Sequence, residues 1–146
     1  MGSVHTYVEV PDFEGARVTL SGAVLFDPGA PTATPLEALT GVLDTSPTTR
    51  RDFTAADQIT ALVRIYQRAR EQPSAVRLSF RIFDKALQEV GAAEAPIEPT
   101  EFAETGAADA RFRLPLEALQ PGAYLLRIGI PDGGSALRRD VRFTVK

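Results

Sequence analysis

A turn that leads into an alternating strand constrains the fold of this chain more than any other feature. Residues 119–124 read Leu-Gln-Pro-Gly-Ala-Tyr. Pro121 fixes its own φ, and Gly122 lets the chain reverse without a Cβ clash. Tyr124 then starts a strand, and its phenol can reach back to a backbone group just upstream, as in a tyrosine corner. Leu119, Pro121, Gly122 and Tyr124 therefore predict a structural corner in a Greek-key β-sandwich.

Size and charge agree with one ordinary globular domain. The chain has 146 residues, 44% of them hydrophobic, and a net charge of -3. A domain of this length buries roughly 70% of the surface that its unfolded chain exposes. The charge gives no reason to expect a nucleic-acid partner, and no apolar run approaches the ~20 residues of a membrane span. Cys is absent, which excludes disulfides and thiolate chemistry.

Alternation of apolar and polar residues recurs along the chain between Pro, Gly and acidic segments. This period of two predicts half-buried β-strands, because successive side chains of a strand point to opposite faces. No stretch keeps apolar residues at helical spacing over three turns. Strands are expected at residues 4–10, 16–26, 58–67, 75–84, 110–114, 124–130 and 136–145, with a short return strand near Leu87 and Val90.

The pattern predicts an all-β fold, an immunoglobulin- or fibronectin-like Greek-key β-sandwich of seven to eight strands with long loops. Strands 58–67 and 75–84 follow one another, so we expect them to pair as neighbours. Residues 28–57 are a long connection that caps one end of the sandwich, crosses between the sheets or docks a further strand. Residues 91–109, rich in Ala, Glu and Pro, are expected to form a mobile loop.

One domain accounts for residues 4–146, with no internal repeat and no composition shift. The first three residues, Met-Gly-Ser, read as a remnant of cloning. Residues 4–13 are interpreted as a strand that leaves an upstream module. Between the last two strands, Asp132-Gly133-Gly134 is interpreted as a hairpin turn.

Catalytic residue patterns are missing from the sequence. His5 is the only His, and it lies in an alternating strand, so neither a nucleophilic triad nor a zinc site is predicted. The acidic run at 94–104 alternates with Ala, Pro and Thr, which favours a solvated loop over a glycosidase carboxylate pair or a calcium site. The prediction is no enzyme, no metal and no cofactor. The carboxylates of that run are Glu94, Glu98, Glu101 and Glu104.

Aromatic side chains suggest one possible binding surface. Tyr66 and Phe83 occupy the outward phase of their predicted strands and would form a small aromatic platform. Such platforms bind sugars in many β-sandwiches, with loop aromatics such as Phe102 as further contacts. A glycan is therefore an alternative ligand, although Trp is absent and the long loop would also cover these side chains.

Arginines suggest another surface. Only two of the basic residues are lysines, and several arginines occupy outward positions of predicted strands. A guanidinium suits bidentate recognition of carboxylates, so a shared face would fit an acidic protein partner. The alternative is a coding bias toward Arg together with a solvated face that neighbouring acids neutralise. The candidate protein-binding face consists of Arg64, Arg77, Arg81, Arg127, Arg138 and Arg142.

Arg139 breaks the pattern of the last strand, because it shares the inward phase of Val141 and Phe143. A bulge near Gly134 would shift the register, or the guanidinium would lie at the end of the sheet and reach water, or it would pair with a buried carboxylate. We favour the position at the end of the sheet.

Several segments together resemble a known bacterial architecture. They are Tyr7-Val8-Glu9-Val10-Pro11-Asp12-Phe13, Leu20-Ser21-Gly22-Ala23-Val24-Leu25, Thr49-Arg50-Arg51-Asp52-Phe53 and the corner at 119–124. Nearly the whole chain resembles the immunoglobulin-like region downstream of the von Willebrand factor A domain in bacterial, chiefly acidobacterial, secreted proteins. The resemblance implies an exported domain at a periplasmic, cell-surface or extracellular location. It supplies no catalytic residue, and the metal-dependent adhesion motif of the A domain is absent.

These observations predict a non-enzymatic accessory module of a larger exported protein, acting as a spacer or as a protein-protein interaction domain. The partner would be another protein or a neighbouring domain of the same polypeptide, with no nucleic acid and no direct membrane insertion. An exposed strand edge is one way to bind, because its unpaired N–H and C=O groups accept a partner strand. The alternative function is a carbohydrate-binding module.

Overall fold

Two β-sheets make up the described part of the chain. The computed structural model describes residues 17–29, 47–68, 72–102, 104–131 and 133–146. The predicted strand at 4–10, His5, residue 16 and most of the long connection lie outside these ranges. None of the described residues belongs to a helix that is long and apolar enough to cross a bilayer.

In the ranges given above, the chain forms ten strands and three short 3-10 turns. The turns are Pro99–Glu101, Leu116–Ala118 and Ser135–Leu137. The strands are β1 (Val18–Leu20), β2 (Val24–Phe26), β3 (Pro47–Thr48), β4 (Asp52–Phe53), β5 (Thr60–Gln67), β6 (Val76–Phe83), β7 (Glu89–Ile97), β8 (Ala107–Arg113), β9 (Gly122–Gly129) and β10 (Arg138–Val145).

The first sheet is built around β5. β8 pairs antiparallel along one side of β5, and β1 and β2 pair antiparallel with its C-terminal and N-terminal halves. β3 extends the sheet beyond β2. The predicted strand at 16–26 is therefore present as two pieces, because residues 21–23 leave the ladder. At the break, Ser21 Oγ accepts a hydrogen bond from the Arg64 N–H at 2.9 Å.

The second sheet has the order β4-β10-β9-β6-β7. β4 is parallel to β10, and the other neighbours are antiparallel. Since β5 lies in the first sheet and β6 in the second, the predicted pairing of strands 58–67 and 75–84 is wrong. The alternation of apolar and polar residues indicates which side chains of the two strands face inward. It does not indicate whether the next strand belongs to the same sheet or to the other one.

The predicted mobile loop at 91–109 is also wrong, because most of it is strand. β7 pairs with β6 from end to end, and β8 begins at residue 107. The inward residues of β7 include Gly91, Ala93 and Ala95, which lie opposite large side chains such as Phe80 and Ile82 of β6. These small residues complete the core opposite β6. A strand is recognised in sequence by alternating large apolar side chains, which β7 lacks on its inward face.

A single hydrophobic core lies between the sheets. Phe80 of the second sheet stacks on Phe112 of the first, with ring centroids 4.7 Å apart. Stacked aromatic pairs add roughly 0.5–1.5 kcal/mol beyond the burial of their area. The predicted all-β sandwich is confirmed. Its largest fully buried side chains are Phe53, Phe80, Leu20, Leu25, Ile59, Ile65, Leu78, Ile82, Leu114, Leu116, Leu126 and Ile128.

Candidate functional site

The corner between β8 and β9 has the geometry that its sequence suggested. Tyr124 Oη donates a hydrogen bond to the backbone oxygen of Gln120, 2.7 Å away. Its ring stacks on Phe143 of β10 at 5.6 Å, and Leu119 packs against the core. A Cβ at Gly122 would lie 3.8 Å from the Tyr124 ring. The corner therefore fixes the start of β9, which presents part of the candidate arginine face.

The six candidate arginines do not share one face. Arg64 lies on the first sheet and forms a two-pronged ion pair with Asp109 on the adjacent strand, with Nη2 and Oδ2 2.9 Å apart. This contact, with a smaller contribution from Tyr66, raises the pKa of Arg64. Because Arg77 and Arg81 belong to the second sheet, the predicted grouping of Arg64 with them is not found.

The second sheet carries the remaining five, and two of them contact the carboxylate of Asp140. Arg127 on β9 forms two hydrogen bonds of 2.9 Å with Asp140 on β10. Arg138 Nε lies 3.8 Å from Asp140 Oδ1, and Arg142 is two residues further along β10. We call Arg127, Arg138, Arg142 and Asp140 the β9–β10 arginine cluster.

Electrostatics within this cluster are uneven. The Arg127 hydrogen bonds lower the pKa of Asp140, and Arg127, Arg138 and Arg142 lower it further through their charges. The same contact raises the pKa of Arg127. Three positive charges thus share one negative charge, and among the described residues Arg142 has no ion pair of its own. The cluster therefore keeps positive charge that it does not neutralise internally.

Apolar side chains lie beside the cluster. The Arg127 guanidinium lies over the ring of Phe83, 5.4 Å from its centroid. Half-buried Leu125 is directly opposite Arg142 in the ladder. A flat face that combines guanidiniums with aromatic and aliphatic surface resembles the composition of protein interfaces, where Arg and aromatic residues are enriched.

Arg77 and Arg81 lie on β6, where Arg81 is directly opposite Arg127 of the cluster, and each forms a weaker exposed pair with a glutamate of β7. Arg77 Nη1 lies 3.6 Å from Glu94, and Arg81 Nη1 lies 3.3 Å from Glu89. All four side chains are at least 40% exposed. Ion pairs of this kind contribute about 0–1 kcal/mol, so they define charge on the surface more than stability.

The predicted aromatic platform does not form. Tyr66 is on β5 in the first sheet, whereas Phe83 is on β6 in the second. Phe102, the candidate loop aromatic, is only 8% exposed and packs in the core. The face of Phe83 is occupied by Arg127. The three side chains therefore do not make one stacking surface for a sugar ring.

All four carboxylates of the acidic run are exposed, as the predicted solvated loop requires, but Glu94 belongs to strand β7. Glu98 and Glu101 form a reciprocal capping box around the 3-10 turn Pro99–Glu101. The N–H of Glu98 donates to Glu101 Oε1 at 2.8 Å. Within the described ranges, no three His, Cys, Asp or Glu side chains come together as metal ligands.

Arg139 lies near the end of β10, as favoured, but its acceptors differ from all three explanations considered. It crosses from the second sheet to the break between β1 and β2, where it donates to the backbone oxygens of Leu20 and Ser21. It also donates to the oxygens of Ala136 and Arg138 at 3.0 and 2.8 Å. Arg139 therefore links the two sheets through carbonyl groups, with no carboxylate.

Arg50 is a second link between the sheets, and sequence reasoning missed it. Its Nη1 lies 2.7 Å from Asp27 Oδ2, and its Nη2 lies 2.7 Å from Asp57. It also donates to the backbone oxygen of Asp52 and lies over the ring of Phe53. The Asp27 side chain is only 3% exposed. Residues 27–29 read Asp-Pro-Gly, which is a common turn sequence, so nothing local marked Asp27 as a buried partner of Arg50.

An open pocket of about 290 Å³ lies at one end of the sandwich. Its lining includes apolar side chains of Val18, Val76, Ile130 and Leu137, and its one charged side chain is Arg77. Ser74 also lines the pocket, and among the described lining residues no His, Asp or Glu accompanies it.

No protein-family model and no curated protein matches this sequence. Among solved structures, the chain is similar to the C-terminal domain of Wzt, with 11% identity, a TM-score of 0.54 and coverage of 92% of this chain and 76% of that one. An immunoglobulin-like protein from Pseudomonas aeruginosa has 12% identity, a TM-score of 0.47 and coverage of 90% and 98%. The CARDB domain of a Pyrococcus furiosus protein has 8% identity, a TM-score of 0.44 and coverage of 92% and 97%.

This chain is an immunoglobulin-like β-sandwich. That fold class is supported by the order of the two sheets, the parallel pairing of β4 with β10, the corner at Tyr124 and the similarity to the Wzt domain. Folds of this class carry many functions, so the function must be argued from the surfaces.

Proposed function

We propose that this domain is a non-enzymatic accessory module of a larger exported protein. In this proposal it binds an acidic surface, on a partner protein or on a neighbouring domain of the same polypeptide, through the β9–β10 arginine cluster. The observation that carries the proposal is that Arg127 and Arg138 both contact the carboxylate of Asp140, while Arg142 lies two residues further along the same strand without an ion pair among the described residues.

Guanidinium chemistry supports an acidic partner. Each guanidinium has five N–H donors in a planar fork that matches the two oxygens of a carboxylate. Arg127 already uses that geometry with Asp140, whereas Arg138 has only a 3.8 Å contact and Arg142 none of its own within the described chain. Two side chains on one strand are therefore available for charge-assisted bonds to a partner.

The neighbouring strands support a protein partner over a sugar. Leu125 and the Phe83 edge supply apolar area next to the guanidiniums, whereas none of the ring pairs among the described residues places a second aromatic ring beside Phe83 to sandwich a sugar. Exposed charges at the rim of an interface mainly accelerate association and select partners. We therefore expect binding that weakens with salt.

Export and the larger protein are supported by the resemblance to the immunoglobulin-like region of von Willebrand factor A domain proteins. In that arrangement the domain would support or space the A domain, and the cluster would contact an acidic face of it or of another exported protein. The partner would supply carboxylates, whose two oxygens match the planar fork of a guanidinium.

Binding to a defined acidic probe tests this function. The intact chain is titrated with poly-L-glutamate at low and physiological salt, and the variant Arg138→Glu/Arg142→Glu is compared with Arg113→Glu. Arg113 is an exposed arginine on the first sheet and serves as the matched control. We expect the double variant to lose at least about tenfold in affinity while the control changes little.

Capture from the exported fraction of the source cells extends the test to natural partners. The proposal predicts an acidic protein that is retained by the wild-type domain and by Arg113→Glu, released by salt, and not retained by the double variant. Equal retention by both variants would show that binding uses another surface. Polyglutamate affinity that does not depend on Arg138 and Arg142 would reject the cluster.

A further inference from the structure

The outer edge of β7 has no partner strand among the described residues. β7 is the last strand of the second sheet, and in the described part of the chain it pairs with β6 alone. A strand at the end of a sheet presents a row of N–H and C=O groups that a further strand can pair with. Which residues of β7 present these groups follows from the hydrogen bonds at the other end of the sheet.

The ladder can be followed strand by strand from β4. Thr144 and Lys146 donate to the backbone oxygens of Arg51 and Phe53, so the even residues of β10 point toward β4 and the odd residues toward β9. Applying the registers of β9 and β6 in turn, the odd residues from Gly91 to Ile97, beyond the register shift of β7, bond to β6. The even residues of this stretch therefore face the open edge. They are Ala92, Glu94 and Pro96.

Pro96 agrees with this assignment. Proline has no N–H and is tolerated in a strand where that side faces away from the ladder. The open edge thus offers N–H and C=O at Ala92 and Glu94, and C=O alone at Pro96. The described residues provide no partner for these groups.

We infer that β7 pairs antiparallel with β7 of a second copy of this chain, with Ala92 opposite Glu94. Edge groups on both copies require even residues to lie opposite even residues. In this register the Ala92–Glu94 pair occurs twice about the two-fold axis, and each pair exchanges both of its backbone hydrogen bonds. Pro96 then lies opposite Val90, so its missing N–H falls at the margin of the pairing.

The charges beside the β7 edge favour a second copy of this chain as the partner, and they favour the register with Ala92 opposite Glu94. Ala92 is opposite Arg81 within one sheet. Placing Glu94 of the second copy beyond Ala92 puts that carboxylate about 10 Å, two strand spacings, from Arg81, with only a methyl group between them. An arginine side chain can span that distance, and the contact occurs twice. A shift that places Glu94 opposite Glu94 would bring like charges together.

The exposed apolar surface supports the same pairing. Val90 is 46% exposed, although it is a large hydrophobic residue, and it lies at the register shift between β6 and β7. In the proposed dimer, Val90 of each copy packs against Pro96 of the other. The inward residues brought together are small, so the extended sheet needs no rearrangement of the core. The contact is small, which predicts a weak, concentration-dependent dimer.

A charge pair at one exposed position tests the register. The dissociation constant of the full chain is measured by sedimentation, and Ala92→Glu is compared with Ala92→Lys. Ala92→Glu places a second carboxylate opposite Glu94 of the other copy, so we expect at least about tenfold weaker association. Ala92→Lys places a cation there and is expected to strengthen association. Melting curves of both variants confirm that each is folded.

Amide hydrogen exchange provides an independent test. Raising the protein concentration should protect the amides of Ala92 and Glu94, while Ala93 and Ala95, already bonded to β6, should not change. A monomer up to about millimolar concentration would overturn the inference, even if another protein were found to bind this edge. A dimer indifferent to both Ala92 variants would place the contact on another surface and overturn it equally.

Discussion

Arg50 and Arg139 differ from Arg77 and Arg81 in what their guanidiniums contact. The first two reach from one sheet to the other, to a nearly buried carboxylate in one case and to backbone oxygens at a strand break in the other. The second two lie on the outer face of one sheet, in single contacts of 3.6 and 3.3 Å. The difference is largest in the acceptors. Glu94, the partner of Arg77, is 52% exposed, whereas Asp27, one of the two carboxylates that Arg50 contacts, is 3% exposed.

This difference shows that the contribution of an arginine to stability depends mainly on how deeply its hydrogen-bond acceptor is buried. A carboxylate or carbonyl that is removed from water needs its donor, because losing the donor leaves the full cost of desolvation. A carboxylate in water exchanges one partner for solvent at little cost. Arg50 and Arg139 are therefore expected to stabilise the fold, while the outer-face arginines remain available for binding.

The largest effect is expected for Arg50→Met. Among the described residues, removing the guanidinium leaves the buried Asp27 with the Gly29 N–H, 3.0 Å away, as its one remaining hydrogen-bond donor. We expect a loss of about 3 kcal/mol in the free energy of unfolding, in the range for breaking a buried ion pair. Urea denaturation measures it.

A double-mutant cycle isolates the cause. Asp27→Asn removes the buried charge while its amide oxygen can still accept from Gly29. The double variant should therefore lose at least about 1 kcal/mol less than the sum of the two single losses. Additive losses would mean that Arg50 acts through its packing on Phe53 and not through Asp27.

A smaller loss is expected for Arg139→Met. Methionine keeps much of the apolar stem but leaves the oxygens of Leu20 and Ser21 without their donors, which should cost about 2 kcal/mol. The matched control is Arg138→Met, an exposed neighbour on the same strand, for which we expect less than about 0.5 kcal/mol. Equal losses for the two variants would contradict a link between the sheets at Arg139.

Sequence reasoning identified what depends on local chemistry. The corner at 119–124 requires one Pro, one Gly and one Tyr in fixed order, and strands 58–67 and 75–84 show large alternating side chains, so both could be read from neighbouring residues. The same alternation gave the inward phase of Arg139 and the outward phase of Arg127. Each of these properties is set within about ten residues.

What failed depends on distant partners. β7 is a strand because its small residues fit opposite Phe80 and Ile82 of β6, which sequence alternation cannot show. The separation of Arg64 from Arg77 depends on a crossing between sheets. Arg50 contacts Asp27 across 23 positions, through a connection whose path no local rule predicts. The strand topology therefore places Arg64 on a different sheet from the other five arginines of the candidate face.

The smallest effect is expected on the outer face, where Asp140 provides a pH-dependent measure. The hydrogen bonds from Arg127 lower the pKa of Asp140 in the folded state. The pair therefore contributes stability that is present above the ordinary carboxyl pKa of about 3.9 and is lost as the pH falls through the lower folded value. Because the Asp140 side chain is 33% exposed, screening by water limits this contribution to below about 1 kcal/mol.

The measurement compares the unfolding free energy of wild type and Asp140→Asn from pH 7 to pH 2. The difference between them should be constant at neutral pH and shrink below pH of about 4, as protonation removes the charge that the variant already lacks. Glu94→Gln, in the looser pair with Arg77, should show a smaller difference throughout. A loss at Asp140 as large as that at Arg50 would mean that the outer-face cluster also holds the fold together, which would remove the distinction between linking and binding arginines.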